Sequence, residues 1–210
     1  MKHVVIALLC LCNINSCTPQ NNKEYMDEKL DIKWLERKAE KTIYDDGSIS
    51  YYLEYKEKDG TMVVIEGDKK NGFTESRISK NSYSEMYKEY YPNGVLKEKG
   101  ILFGEVAIGI WHYFDEQGSL VNTIDEDKKF GNFGYMDVLN FLIEKDYVEK
   151  NTYKGIFESY KDNSATIVFF EEDLTWLIRV KTPGYIINDY TIDGNTGEIK
   201  EHKVFQGGKM

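Results

Sequence analysis

From about residue 43 to residue 125, apolar and polar positions alternate in short runs separated by turn residues. Asp45-Asp46-Gly47-Ser48-Ile49, Lys70-Asn71-Gly72-Phe73-Thr74, Pro92-Asn93-Gly94-Val95-Leu96 and Glu116-Gln117-Gly118-Ser119-Leu120 mark the turns. From Gly47 to Gly72, Gly94 and Gly118 the spacings are 25, 22 and 24 residues. Alternation with a period of two predicts half-buried strands, because successive side chains leave opposite faces of a sheet. Asn-Gly and Asp-Gly pairs predict hairpins with type I′ turns, which need positive φ at both central residues. A repeat of about 24 residues fits two strands and two turns, so residues 43–130 read as stacked antiparallel units in a single-layer meander. Within residues 108–114, Ile110, His112 and Phe114 are predicted on one face and Trp111 and Tyr113 on the other, both faces being large and apolar.

After Gly134 the period lengthens. Val138, Phe141, Leu142 and Lys145 form one stripe, flanked by Leu139, Ile143 and Tyr147, which predicts a helix of about 12 residues. Asp137 is placed to cap its start. Candidate strands follow at residues 165–171, 175–181, 185–192 and 198–205, with turns at Glu172-Asp173, Pro183-Gly184 and Asp193–Gly197. A helix followed by a small antiparallel sheet makes residues 131–210 an α+β unit, so the fold class is mainly β with an α+β C-terminal part. Residues 18–33 are polar without an apolar face and read as a tether, with a short helix near residues 33–41 around Trp34 and Leu35.

The N-terminus adds an address. Lys2 precedes a nine-residue apolar run from Val4 to Cys12, too short to span a bilayer and suited to a signal-peptide core. Ile14-Asn15-Ser16-Cys17 resembles a bacterial lipobox, departing from it at Asn15. The resemblance implies cleavage after residue 16 and a lipid on Cys17, leaving residues 17–42 as lipidated cysteine and tether. The chain is then expected to be exported to the bacterial cell envelope, facing the periplasm or on the outer membrane, with the lipid its only membrane contact. All three cysteines lie at or before Cys17, so the mature chain has no disulfide. Sixteen tyrosines against three prolines suit strands. Without Lys2 the balance is 26 cations minus 36 anions, or −10, which suits a basic protein partner and disfavours nucleic acid.

Residues 87–121, with Tyr91-Pro92-Asn93-Gly94-Val95-Leu96 and Gly109-Ile110-Trp111-His112-Tyr113-Phe114 followed by Gly118-Ser119-Leu120, resemble the bacterial variant of the MORN repeat. That family is a one-layer antiparallel meander, and some members are labelled antitoxins or immunity-like lipoproteins. Residues 103–108, Phe-Gly-Glu-Val-Ala-Ile, depart from the polar turn usual there. Residues 176–201, with Asp193, Thr196, Gly197, Glu198 and Ile199, resemble a PepSY hairpin. This resemblance implies structural residues, and some PepSY-like domains resemble peptidase-inhibiting propeptides.

The chemistry expected is sparse. His3, His112 and His202 show no metal spacing, and no triad, P-loop or calcium loop is present. No catalytic residue, metal or cofactor is expected. Tyr51, Tyr52, Tyr55, Tyr83, Tyr87, Tyr90 and Tyr91 read either as a partner-binding face or as self-packing of the sheet. The residues expected to bind a partner are Tyr87, Tyr90, Tyr91, Trp111 and Tyr113. The function expected is that of a non-enzymatic binding lipoprotein neutralising a toxin or effector. The alternatives are an envelope scaffold and a regulator of a periplasmic peptidase.

Overall fold

Four hairpin turns of one construction set the sheet: Tyr44 to Ser48, Glu57 to Thr61, Tyr91 to Val95 and Asp115 to Ser119. In each, the first N–H donates to the fifth carbonyl and the glycine N–H donates to the first carbonyl, at 2.8–3.0 Å. Gly47, Gly60, Gly94 and Gly118 have φ of +79°, +95°, +80° and +83°. Asp46 and Asn93 are not left-handed. These are three-residue loops closed by a glycine bulge, not the type I′ turns that Asp-Gly and Asn-Gly predict. The reason is local: Asp46, Asp59 and Asn93 each accept the N–H two residues on, at 2.9 Å, which fixes the loop with a single left-handed residue. Gly72 differs again. Asp68 closes that turn by accepting from Lys70 and Asn71, and Gly72 already lies in a strand.

The computed structural model describes residues 28–150, 152, 165–182 and 184–206. The signal segment and Cys17 lie outside them. β1 (Glu40–Ile43), β2 (Ile49–Lys56), β3 (Met62–Asp68), β4 (Gly72–Ile78), β5 (Glu85–Tyr90), β6 (Leu96–Phe103), β7 (Val106–Phe114) and β8 (Leu120–Asp125) form one antiparallel sheet in chain order. A 3₁₀ turn (Glu126–Lys129) leads to α2 (Tyr135–Glu144). β9 (Ala165–Phe170), β10 (Thr175–Thr182), β11 (Ile186–Asp193) and β12 (Ile199–Gln206) form a second antiparallel sheet ordered β12-β11-β10-β9. The fold is therefore a single-layer meander followed by a helix and a small antiparallel sheet.

One face of the large sheet carries both cores. At one end it is covered by α1 (Ile32–Lys38), whose first turn is capped by Asp31 accepting from Trp34 N–H at 2.9 Å. Leu35 is fully buried and, with Leu30, packs among Val63, Ile65, Phe73 and Tyr90. The folded body thus begins well upstream of residue 43, inside the segment that its polarity marks as tether. At the other end Phe103, Val106 and Ile108 share a core with Val138, Leu139 and Leu142 of α2 and with Trp176, Ile178 and Ile192 of the small sheet. α2 starts at Tyr135, so Asp137 lies inside its first turn. Its carboxylate accepts from Gly134 N–H at 2.9 Å and caps the helix from within.

The shared core explains the apolar hairpin at residues 103–108. Its tip, Gly104 with φ +63°, docks on β9, where Glu105 N–H donates to Ile167 carbonyl at 3.2 Å. A Cβ at position 104 would stand 2.9 Å from that of Ile167. Phe103 and Val106 are apolar because the C-terminal unit buries them. β7 also breaks the strict alternation of residues 108–114. A register shift opposite Lys99 and Ile101, with Gly109 at φ +64°, expels Ile110 to 49% exposure.

Candidate protein-binding face

The two faces of the large sheet differ in charge. On the face that carries the helices, Lys88 and Lys99 pair with Glu28 at 3.1 and 2.7 Å, and Arg77 pairs with Glu57 and Glu75 at 2.7 and 3.0 Å. Tyr90 donates to Glu75 at 3.0 Å. Burial opposes ionisation of Glu28, yet Lys99 and Lys88 outweigh it and hold the carboxyl below its ordinary range. Arg77 also lines a cleft of about 360 Å³ with Asp59, Met86 and Ile101, its guanidinium engaged by the two glutamates.

The opposite face is acidic and aromatic, and neither α-helix lies on it. One transverse row runs Tyr52, Glu66, Thr74, Glu89, Glu98, Tyr113 through directly opposed positions on β2 to β7. Six strands make this row about 24 Å long. A second row runs Glu54, Val64, Ser76, Tyr87, Gly100. The indole of Trp111 lies over Gly100, where a Cβ would come within 2.2 Å of the ring, and packs against Tyr87 at 5.9 Å between centroids. Gly100 is required by that close approach.

Glu89 and Glu98 stand opposite each other. Like charges in cross-strand pairs destabilise a sheet. Lys97, bulged out beside them, donates to Glu89 at 2.6 Å. Burial first, and then the neighbouring Glu89, push the Glu98 carboxyl above its ordinary value. Burial also raises Glu85 to about 7, and the long 3.5 Å hydrogen bond donated by Ser76 Oγ only partly opposes it. Ser76 is itself buried, so its hydroxyl is not presented to a substrate. Among the described residues no group of three His, Cys, Asp or Glu converges on a point that could hold a metal.

The residues expected to bind a partner separate. Tyr87, Trp111 and Tyr113 share the acidic face, joined by Tyr52. Trp111 is only 5% exposed, so it forms the floor, and the half-buried Tyr52, Tyr87 and Tyr113 lie around it. Tyr90 is 4% exposed on the opposite face, in the core under α1. Tyr91 lies in a turn and donates to Phe114 carbonyl at 2.8 Å. Of the remaining tyrosines, Tyr51 and Tyr55 pack in the α1 core and Tyr83 against the C-terminal core. His112 faces Lys99 on the helix-bearing face, and burial, then Lys99, lower its pKa. His202 stacks on Tyr190 at 4.2 Å. Sequence reasoning missed the glutamates, because Glu66 is 23 residues from Glu89, and Glu98 meets Glu89 only through the bulged register of the β5–β6 hairpin.

No family model, curated protein or solved structure matches this chain. The likenesses to a MORN-type repeat and to a PepSY hairpin rest on the motifs of residues 87–121 and 176–201 alone.

Proposed function

We propose that the chain is a membrane-anchored, non-enzymatic lipoprotein of the bacterial envelope that neutralises a secreted toxin or effector by binding it. What supports the reading is the acidic face, above all the opposed Glu89–Glu98 pair bracketed by Tyr52, Tyr87 and Tyr113. Lys97 answers Glu89 within the chain, so the cost of opposing like charges falls on Glu98, and a cationic partner would relieve it on docking. Tyrosine supplies contact area at low entropic cost. The occupant that fits is a basic protein surface, with lysine or arginine reaching the glutamate row. Lipid attachment at Cys17 would hold the face where an incoming secreted protein arrives.

Deletion of the gene is expected to sensitise cells to a sibling strain secreting the cognate toxin. The wild-type gene should restore survival, and Glu66→Lys/Glu98→Lys should not. Unchanged survival of the deletion strain in mixed culture with every sibling tested contradicts the reading. An envelope defect appearing without any rival cell would instead favour the scaffold role.

A further inference from the structure

β12 is exposed along its entire length and forms an edge of the small sheet. No strand among the described residues pairs with its outer side, where alternate residues present backbone donors and acceptors, and Val204 and Phe205 are 60% and 45% exposed. An uninterrupted edge of that kind is a template for another strand. The side chains of β12 say which strand fits.

We infer that β12 pairs antiparallel with β12 of a second copy of this chain, joining two small sheets into one across a twofold axis at His202. In such pairing directly opposed residues share a face, so the axis must pass through a residue. Glu201 and Lys203 lie opposite Thr191 and Asp189 of β11, on the sheet face away from Tyr190. With the axis at His202, Glu201 opposes Lys203 of the second copy, and the reverse contact repeats it. The axis at Glu201 would set glutamate against glutamate. At Lys203 or Lys200 it would set lysine against lysine. At Val204 it would leave Glu201 beyond the paired centre. Charge therefore selects one register.

Within one chain Lys203 already reaches Glu201 at 2.8 Å, both side chains about half exposed. The second copy closes that pair into a ring of four alternating charges. His202, stacked on Tyr190 and 3.1 Å from Asn188 Oδ1, is fixed on the other face at the axis. The contact is isologous and closes at two copies. It does not depend on the proposed function, since it uses neither the acidic face nor a partner protein.

The test is the mass of the full chain against concentration, from about 1 to 100 μM, by light scattering and native mass spectrometry. The wild type should dimerise. Glu201→Lys and Lys203→Glu should each weaken the dimer by at least about tenfold, since each places like charges opposite one another twice. An equimolar mixture of the two variants should recover dimers, and these should be heterodimers, because the mixed pair restores opposite charges at both contacts. Circular dichroism should show both variants folded, their changes being at exposed positions. A wild type that stays monomeric throughout, or variants that self-associate as tightly as wild type, overturns the inference.

Discussion

Phe103→Ala should lower stability by about 3–5 kcal/mol and should melt both parts of the molecule in one transition. Phe103 is fully buried at the end of β6. Its ring lies 6.2 Å from Tyr83 on the connection before β5 and 6.0 Å from Tyr135 at the start of α2. It therefore contacts both the meander and the C-terminal unit. Trp34, edge-on to Tyr55 at 6.2 Å, reports on the α1 end of the meander, and Trp176, stacked on Phe130 at 5.1 Å, reports on the C-terminal core. With single-tryptophan reporters in denaturant, both signals should shift to the same lower midpoint, because one core spans the two sheets. A shift confined to Trp176, with the Trp34 signal unmoved, would mean two independently stable units.

Glu85→Gln should stabilise the protein above pH 7 and leave it nearly unchanged at pH 4. Burial raises the Glu85 carboxyl to about 7, from the ordinary glutamate value of 4.5. Between those values the native state holds a proton that the unfolded chain has released. The contribution of Glu85 is thus fully present below about pH 4.5 and is lost as pH rises toward 7. The loss is on the order of 3 kcal/mol. Glutamine keeps the shape and cannot ionise, so the difference between variant and wild type should grow across that window and then level off. Equilibrium unfolding at pH 4, 5.5, 7 and 8 measures it. A constant difference at all four values would show that Glu85 does not titrate in this range.

The local elements were legible because each is set by residues near one another. Glycine turns with an adjacent acid or amide, the stripe of Val138 and Leu142, and the alternation of residues 175–181 lead directly to hairpins, α2 and β10. The sidedness of the sheet was not legible. Alternation says that neighbours point apart, yet it does not say which side will be covered. Tyr90 and Tyr91 look alike in the sequence, and the register places one in the α1 core and the other in a turn. The bulges at Lys97 and Gly109 shift register, and they decide that Glu98 meets Glu89 and that Ile110 drops out of the β6–β7 pairing while keeping Asp125 of β8 opposite it. The apolar run at residues 103–108 could have been read as a docking site, since a solvent-facing hairpin tip seldom carries Phe and Val together. The short helix around Trp34 and Leu35 was legible, but its role was not: in a polar stretch without a sustained apolar face, nothing says that Leu30 and Leu35 close a core.

The glutamate row of the acidic face is the feature on which the binding account stands, and titration of the cognate secreted protein onto the full chain at two salt concentrations measures its role. The account predicts a one-to-one complex with a basic protein. It should weaken strongly between about 50 and 300 mM salt and by at least about tenfold in Glu66→Lys/Glu98→Lys, with the toxic activity suppressed only by the wild type. A complex of unchanged affinity in that variant, or one indifferent to salt, would contradict it.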